Sequence, residues 1–452
     1  MTKHTLAFLI LTGTVLLCGC AGKSSSGNST SSAENSSATD VTATDTADSA
    51  SKYDYVHGTD GYYNLAEELR YFKMPEQYSG TCWLYAASAS MSTAYEKKTG
   101  KELDINVPDI LESIYSDDKQ EGIFVTDDTD KSDLGGYQAF VTDRLSRECK
   151  DGITLDSSMI IDPNDRDAIK NAVRTRGGVV VVIDDWSVKR GSFGSYQTVN
   201  YEQAEKYDHD VTIIGWDDHF PKDYFEVPAA QDGAWIAYNS NSCESYYYIS
   251  YCSPFEQATS HTVSDEYSEV LSYDAGNELG SYIQTGVSTK AANVFHKKGK
   301  LAAVGTFNDF DKQNIKIEIM SADFKQVLYT QEAVLDYQGC HTIKLKDPVE
   351  AEDFAVVITY EKGAPVEGES VDTDVCSYKT SIDTGQSFVF VDGEWKDMTD
   401  SSIKSVIKTN AQPSFLSEKG EWKDYLSESE TEAMLRTDFE PGNCCIKALF
   451  QK

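Results

Sequence analysis

Three side chains in this 452-residue sequence have the types and settings needed to break an acyl bond together: Cys82, His209 and Asn239. Cys82 lies in Gln77-Tyr78-Ser79-Gly80-Thr81-Cys82-Trp83-Leu84-Tyr85-Ala86-Ala87, where the residues after Gly80 favour a helix and place the thiol in its first turn. The unpaired N–H groups and the positive end of the helix dipole stabilise a thiolate there, and the thiolate is the nucleophilic form. Such a nucleophile needs an imidazole within hydrogen-bond reach, to share its proton and later deliver it to the leaving amine. Of seven histidines, only His209 opens a β-branched run, Val211-Thr212-Ile213-Ile214-Gly215-Trp216, whose strand would present the ring at its start. His57, His219, His261, His296 and His341 lie in polar or strand contexts without a supporting pattern. Asn239 follows the apolar run Ala234-Trp235-Ile236-Ala237-Tyr238, and an amide there can accept from the ring N–H without adding a charge. Taken singly, each has a plain alternative, since most free cysteines are inert core residues and a histidine at a strand end is more often structural.

The surrounding pattern supplies elements to hold these groups. Ala86, Ala87, Ala89, Ser90 and Ala94 make the Cys82 helix small on several sides, as a central helix needs, and Gly100 after Lys97 and Lys98 is its stop. Asp162-Pro163 is expected to cap a second helix whose Ile169, Ala172 and Val173 share a face, with Gly177-Gly178 ending it and 179–183 following as a buried strand. Beyond about residue 259 the pattern turns to period two, with Ile315, Ile317 and Ile319 set against Lys316, Glu318 and Met320. Further short runs at 291–296, 301–307, 354–360, 388–391 and 445–450 predict a β-sandwich. Ser387-Phe388-Val389-Phe390-Val391-Asp392-Gly393-Glu394-Trp395-Lys396-Asp397 is echoed from Ser414 to Asp424, which reads as a duplicated hairpin whose Trp395 and Trp422 are either core anchors, the favoured reading, or exposed ligand platforms.

Gly80-Thr81-Cys82-Trp83, His209 ahead of Ile213-Ile214-Gly215-Trp216-Asp217-Asp218, and Asn239-Ser240 after Trp235-Ile236 together resemble the papain family of cysteine peptidases. The order Cys, His, Asn fits, with the His roughly 130 and the Asn roughly 160 residues beyond the Cys. The resemblance implies an α+β, two-lobed peptidase with its site between the lobes. It also implies that Gln77 and the Cys82 backbone N–H form the oxyanion hole, and that Gly135-Gly136 pairs with the substrate main chain. Ala291-Ala292-Asn293-Val294-Phe295, Gly339-Cys340-His341-Thr342-Ile343 and Gly385-Gln386-Ser387-Phe388 resemble the lectin-like β-sandwich that follows the peptidase in some bacterial relatives. Three positions depart from the papain pattern. Gln77 is five residues before Cys82 instead of six, Asp210 replaces a small residue after the His, and Asn241 stands where a Trp covers the Asn–His bond. The last change is expected to expose that bond to water.

Against 40 Lys and Arg stand 74 Asp and Glu, a formal charge of −34, so nucleic acid is not an expected partner. Protein or peptide substrates are. Lys3 and His4 precede the apolar run 6–17, short for a bilayer span but right for a signal-peptide core. Leu17-Cys18-Gly19-Cys20 resembles the lipobox of bacterial lipoproteins, which implies a lipid on Cys20 and an anchor on the outer face of a bacterial membrane. Residues 21–51 are Ser, Thr, Ala, Asn, Gly and Asp with one large apolar residue, Val41, and read as a flexible tether. The ten cysteines lack paired C-x-x-C spacings, so no metal site, cofactor or disulfide scaffold is expected, although Cys243 to Cys252 remains a feasible bridge. Cys444-Cys445 reads as one buried and one exposed strand position. The expected organisation is a signal peptide at 1–19, the lipidated tether at 20–52, the peptidase at 53–259 and the sandwich at 260–452. Two other readings compete with a working peptidase: a catalytically degenerate surface adhesin whose sandwich binds glycans, and a cell-wall amidase, which also uses Cys and His.

Overall fold

The computed structural model describes residues 55–73, 75–115, 122–125, 130–186, 188–241, 246–274, 283–286, 288–369, 376–410, 412–413 and 440–452. The signal peptide, Cys20 and the tether, the Cys243 end of the suggested bridge and the Trp422 copy of the hairpin lie outside these residues.

Helix α1, Cys82–Thr99, is buried on nearly every side and stands between two cores. Ala89 packs with the strand core of Val179, Val181, Ile213, Trp235 and Ile249. Trp83, Leu84, Tyr85, Ala87 and Met91 pack with α2, Val107–Ile114, and α3, Gln138–Leu145. The small side chains of α1 permit this double contact, because backbone hydrogen-bond partners from other elements reach it directly. Ser90 Oγ donates to the Gly178 carbonyl at 2.6 Å, and Thr212 Oγ1 donates to the Ala86 carbonyl at 3.0 Å. Helix α4, Arg166–Thr175, buries Ile169, Ala172 and Val173 as the periodicity predicts, and Val179–Ile183 follows as a fully buried strand. The cap is different from the expected one. Asp162 closes the preceding turn by accepting from Asn164 N at 3.0 Å, while the Asp165 carboxylate takes Ala168 N at 2.9 Å. Pro163 therefore sits in the turn and not in the helix.

Strand His209–Asp217 is central. It pairs antiparallel with Val179–Ile183, placing Ile183 opposite His209, and with Ala234–Tyr238, placing Thr212 opposite Tyr238. Tyr62–Asn64 closes its far end, with Tyr62 opposite Asp217.

Among the described residues of the second half the regular elements are strands apart from α5, Ser401–Asn410. Lys290–Asn308 and Gln338–Tyr360 are long paired strands that absorb the separate runs expected at 291–296, 301–307 and 354–360. Ile315, Ile317 and Ile319 face the sandwich core as the alternation predicts, among Phe295, Phe354 and Ile358. Ser387–Val391 and Glu394–Asp397 form the expected hairpin. Trp395 is half-buried, stacked on Phe324 at 4.5 Å.

The two halves share one sheet. Strand Thr154–Ile161 pairs with Ala258–Ser264 and also with residues 338–341 of the sandwich. A Cβ on Gly339, whose φ is 117°, would lie 1.9 Å from the Ser158 carbonyl oxygen, so the crossing requires a bare backbone. Phe307, Cys340 and Cys445 of the sandwich complete the core beneath α1. This sharing overturns the expectation for Cys444-Cys445. Both are buried, Cys444 in the sandwich core and Cys445 in the shared one, because the second half covers one side of that segment and the helices around α1 cover the other. The anticipated border at 259/260 falls within strand Ala258–Ser264.

Candidate active site

Cys82 is the first residue of α1, preceded by Thr81, whose hydroxyl bonds back to the Tyr78 carbonyl instead of capping the helix. The first-turn N–H groups are thus not taken by a side-chain cap, a setting that favours a thiolate. The thiol is buried against Val182 and Tyr207. Tyr207 is two residues before His209, and Val182 neighbours the residue that pairs with it, so the His209 strand lies alongside the start of α1.

His209 Nε2 lies 2.7 Å from Asn239 Oδ1. The backbone N–H of Asn241 also reaches that oxygen, at 3.1 Å. A backbone N–H can only donate, so the Asn239 atom facing the ring is an acceptor and His209 Nε2 must carry the hydrogen. Strand register explains the meeting, because Thr212 opposite Tyr238 sets Asn239 beside the beginning of the His209 strand. His209 and Asn239 are each 1% exposed. The expectation that Asn241 would leave this bond open to water is therefore corrected: the surrounding packing keeps it dry without a Trp at that position.

Gln77 is tied to the same strand end. Its N–H donates to the Ser240 carbonyl at 2.8 Å, and its amide oxygen accepts from Ser240 Oγ at 2.7 Å. Its Nε2 donates to the Ser79 carbonyl at 3.0 Å. The shortened Gln77–Cys82 loop is accommodated by Ser79 at φ 53°. Gly136 lies directly on the Trp83 indole, where a Cβ would come within 2.4 Å of the ring, and Gly135 receives the Tyr115 hydroxyl on its carbonyl at 3.4 Å. The Gly-Gly segment therefore runs next to the residue that follows Cys82.

Sequence reasoning missed two groups. Gln138 and His261 are buried, and Gln138 bonds both Asp210, the residue after His209, and His261. Burial lifts the Asp210 carboxyl to about 7, partly offset by a hydrogen bond from Gln138 and the charge of His209. Burial depresses His261 to about 3, with Arg176 adding to the effect. Asp210 was visible as an acidic residue after the histidine, but nothing in Tyr137-Gln138-Ala139 marks Gln138 as its partner, because they meet only in the fold.

Among the described residues no group of three or more His, Cys, Asp or Glu side chains could hold a metal ion, and no helix is long and apolar enough to cross a membrane. Cys252 carries a free thiol.

Residues 73–241 match the model of the papain family cysteine protease, and residues 271–411 that of the lectin like domain. Cathepsin S of Rattus norvegicus is 28% identical over 171 residues, 33% of this chain and 49% of the relative, so the chain spans about half the length of that curated protein. The cysteine protease and lectin-like domains of Cwp84, a surface layer associated protein of Clostridium difficile, superpose with a TM-score of 0.63 at 15% identity, over 87% of this chain and 89% of that one. Clostridial cysteine protease Cwp84 after propeptide cleavage gives 0.62 at 16% identity, over 86% and 99%. These likenesses establish the fold, a papain-like domain followed by a lectin-like all-β domain.

Proposed function

With residues 73–241 forming a papain-family cysteine protease domain and residues 271–411 a lectin-like domain, we propose that this chain hydrolyses peptide bonds through an acyl-thioenzyme on Cys82. The observation that carries the reading is the dry bond between His209 Nε2 and Asn239 Oδ1, on the strand that flanks Cys82. With Nε2 held by the amide, Nδ1 takes the thiol proton, and the Cys82 thiolate attacks the scissile carbonyl carbon. The developing oxyanion is assigned to the Cys82 backbone N–H and the Gln77 amide. His209 then gives its proton to the leaving amine, which departs as the C–N bond breaks. A water next loses a proton to His209 and attacks the thioester, releasing the acid and regenerating the thiol. Gly135 and Gly136 are assigned to pairing with the substrate main chain.

The same reading places the enzyme outside a bacterial cell, lipid-anchored through Cys20, with protein or peptide substrates. The lipobox and the polar tether support it, and the surface-layer association of Cwp84 agrees with export. Replacing Cys20 by Ala should move the protein from the membrane fraction to the medium, and retention after a salt wash would contradict the anchor. A second reading, a degenerate adhesin with a glycan-binding sandwich, shares the fold. Labelling with an epoxysuccinyl peptide separates the two, because an inactive site does not alkylate at Cys82.

A further inference from the structure

Gln138, the first residue of α3, spends its whole side-chain amide in one buried place. Its Nε2 donates to the Trp83 carbonyl and to Asp210 Oδ1, each at 2.9 Å, and its Oε1 lies 2.9 Å from His261 Nε2. The three partners come from α1, from the His209 strand and from strand Ala258–Ser264. Trp83 directly follows Cys82, and Asp210 directly follows His209. One side chain therefore links the neighbour of the thiol to the neighbour of the imidazole.

The protons on this path are determined by chemistry. An amide oxygen only accepts, so His261 Nε2 carries its hydrogen; burial depresses the ring's pKa and keeps it neutral, and His261 Nδ1 is buried with no hydrogen-bond partner. The groups that act on Asp210 are His209 on its own strand, Gln138 on α3 and Glu256 ahead of strand Ala258–Ser264. Cys82 flanks the site from α1. His261 stands beyond Gln138, with Arg176 behind it. Val182, opposite Asp210 in register, carries no charge.

We propose that Gln138 and Asp210 are positioning residues of the Cys82–His209 pair: Gln138 sets the spacing of α1 against the His209 strand, and the Asp210 carboxylate it holds stabilises the protonated ring of His209. The proposal rests on the peptidase reading above. An ionised Asp210 favours the imidazolium, so the thiolate–imidazolium pair persists to higher pH than it would beside a neutral group. Because burial raises this carboxyl to about 7, its influence appears only from neutral pH upward.

The test is the rate at which an epoxysuccinyl peptide alkylates Cys82 in the full chain, followed from about pH 5 to about pH 9, for wild type, Asp210→Asn and Gln138→Met. Asp210→Asn keeps an acceptor for Gln138 and removes only the charge. It should match wild type below about pH 6, lose about three- to tenfold in rate above about pH 8, and move its alkaline limb down by about one pH unit. Gln138→Met, of similar size, should lower kcat/KM about tenfold through kcat with KM nearly unchanged. If that variant fails to fold, Asp210→Asn alone decides. A folded Asp210→Asn protein with the wild-type profile, or with the same loss at every pH, would overturn the proposal. Failure of the wild type itself to label at Cys82 would instead remove the peptidase reading on which the proposal stands.

Discussion

His209 and Asn239 meet through a 2.7 Å hydrogen bond that is closed to solvent, and the Asn241 backbone N–H on the same oxygen fixes which way the amide points. The two residues therefore have unequal tasks. In the proposed mechanism His209 moves the proton, whereas Asn239 holds the ring. Replacing His209 by Ala should remove turnover almost completely. Asn239→Ala should leave a remnant, about 1–10% of kcat, since orientation is degraded and not the chemistry. Steady-state kinetics on one peptide substrate checks the ranking, and equal, complete loss at both positions would contradict it.

Asp210 also carries a stability signature with a definite sign. Its folded pKa, about 7, lies above the unfolded value near 3.8. Between these values the unfolded chain releases the proton while the native state keeps it, so stability falls as pH rises through that window. Asp210→Asn should be more stable than wild type at pH 8, by on the order of 1–3 kcal/mol, with the gain vanishing below about pH 4. Denaturant melts at the two pH values measure this. A gain independent of pH, or a loss at pH 8, would contradict the burial argument. Combined with the slower alkylation expected of the same variant, a gain would mark Asp210 as a residue that trades stability for function.

Much of this arrangement was legible in the sequence because it is local. The Cys82 helix start, the β-branched strand after His209 and the apolar strand before Asn239 each announce themselves through neighbouring residues, as does the period-two pattern of Ile315, Ile317 and Ile319. What was not legible depends on a choice between neighbouring caps or on contacts distant along the chain. Asp165 took the cap from Asp162 because the turn at Pro163 closes on its own side chains. Cys445 is buried by a sheet face from the other half of the molecule, and Gln138 finds Asp210 and His261 only once three elements converge. The loss of a Trp at Asn241 suggested a wet bond, but residue type at one position says little about what packs over it.

The shared sheet predicts that the first half does not stand alone. A chain ending at residue 259 stops inside strand Ala258–Ser264 and loses Phe307, Cys340 and Cys445 from the core beneath α1. It should aggregate or expose apolar surface to a hydrophobic dye. Within the full chain, Gly339→Val should destabilise as well, because the Ser158 carbonyl leaves no room for a side chain. A soluble, fully active truncation would contradict this.

In the sandwich, Lys447 and Asp274 form an ion pair with each side chain 1% exposed. Burial opposes the Lys447 charge, and the Asp274 carboxylate overrides it, raising the ammonium above its ordinary value. Removing one partner leaves the other charge buried, so Asp274→Ala or Lys447→Ala should each cost about 3–5 kcal/mol. A paired replacement by apolar residues of similar volume should recover most of that loss. Chemical denaturation of the single and double variants gives the coupling directly, and additive losses would show that the pair is not a unit.

The central claim is that Cys82 is the nucleophile of a working peptidase. Its most direct test is incubation of the purified full chain with an epoxysuccinyl peptide, followed by mass mapping of the adduct and assay of peptide turnover beside Cys82→Ala. The account predicts a single adduct on Cys82, loss of turnover in step with labelling, and a folded, inactive Cys82→Ala protein. Turnover retained by Cys82→Ala, or an adduct confined to Cys149 or Cys252, would contradict it.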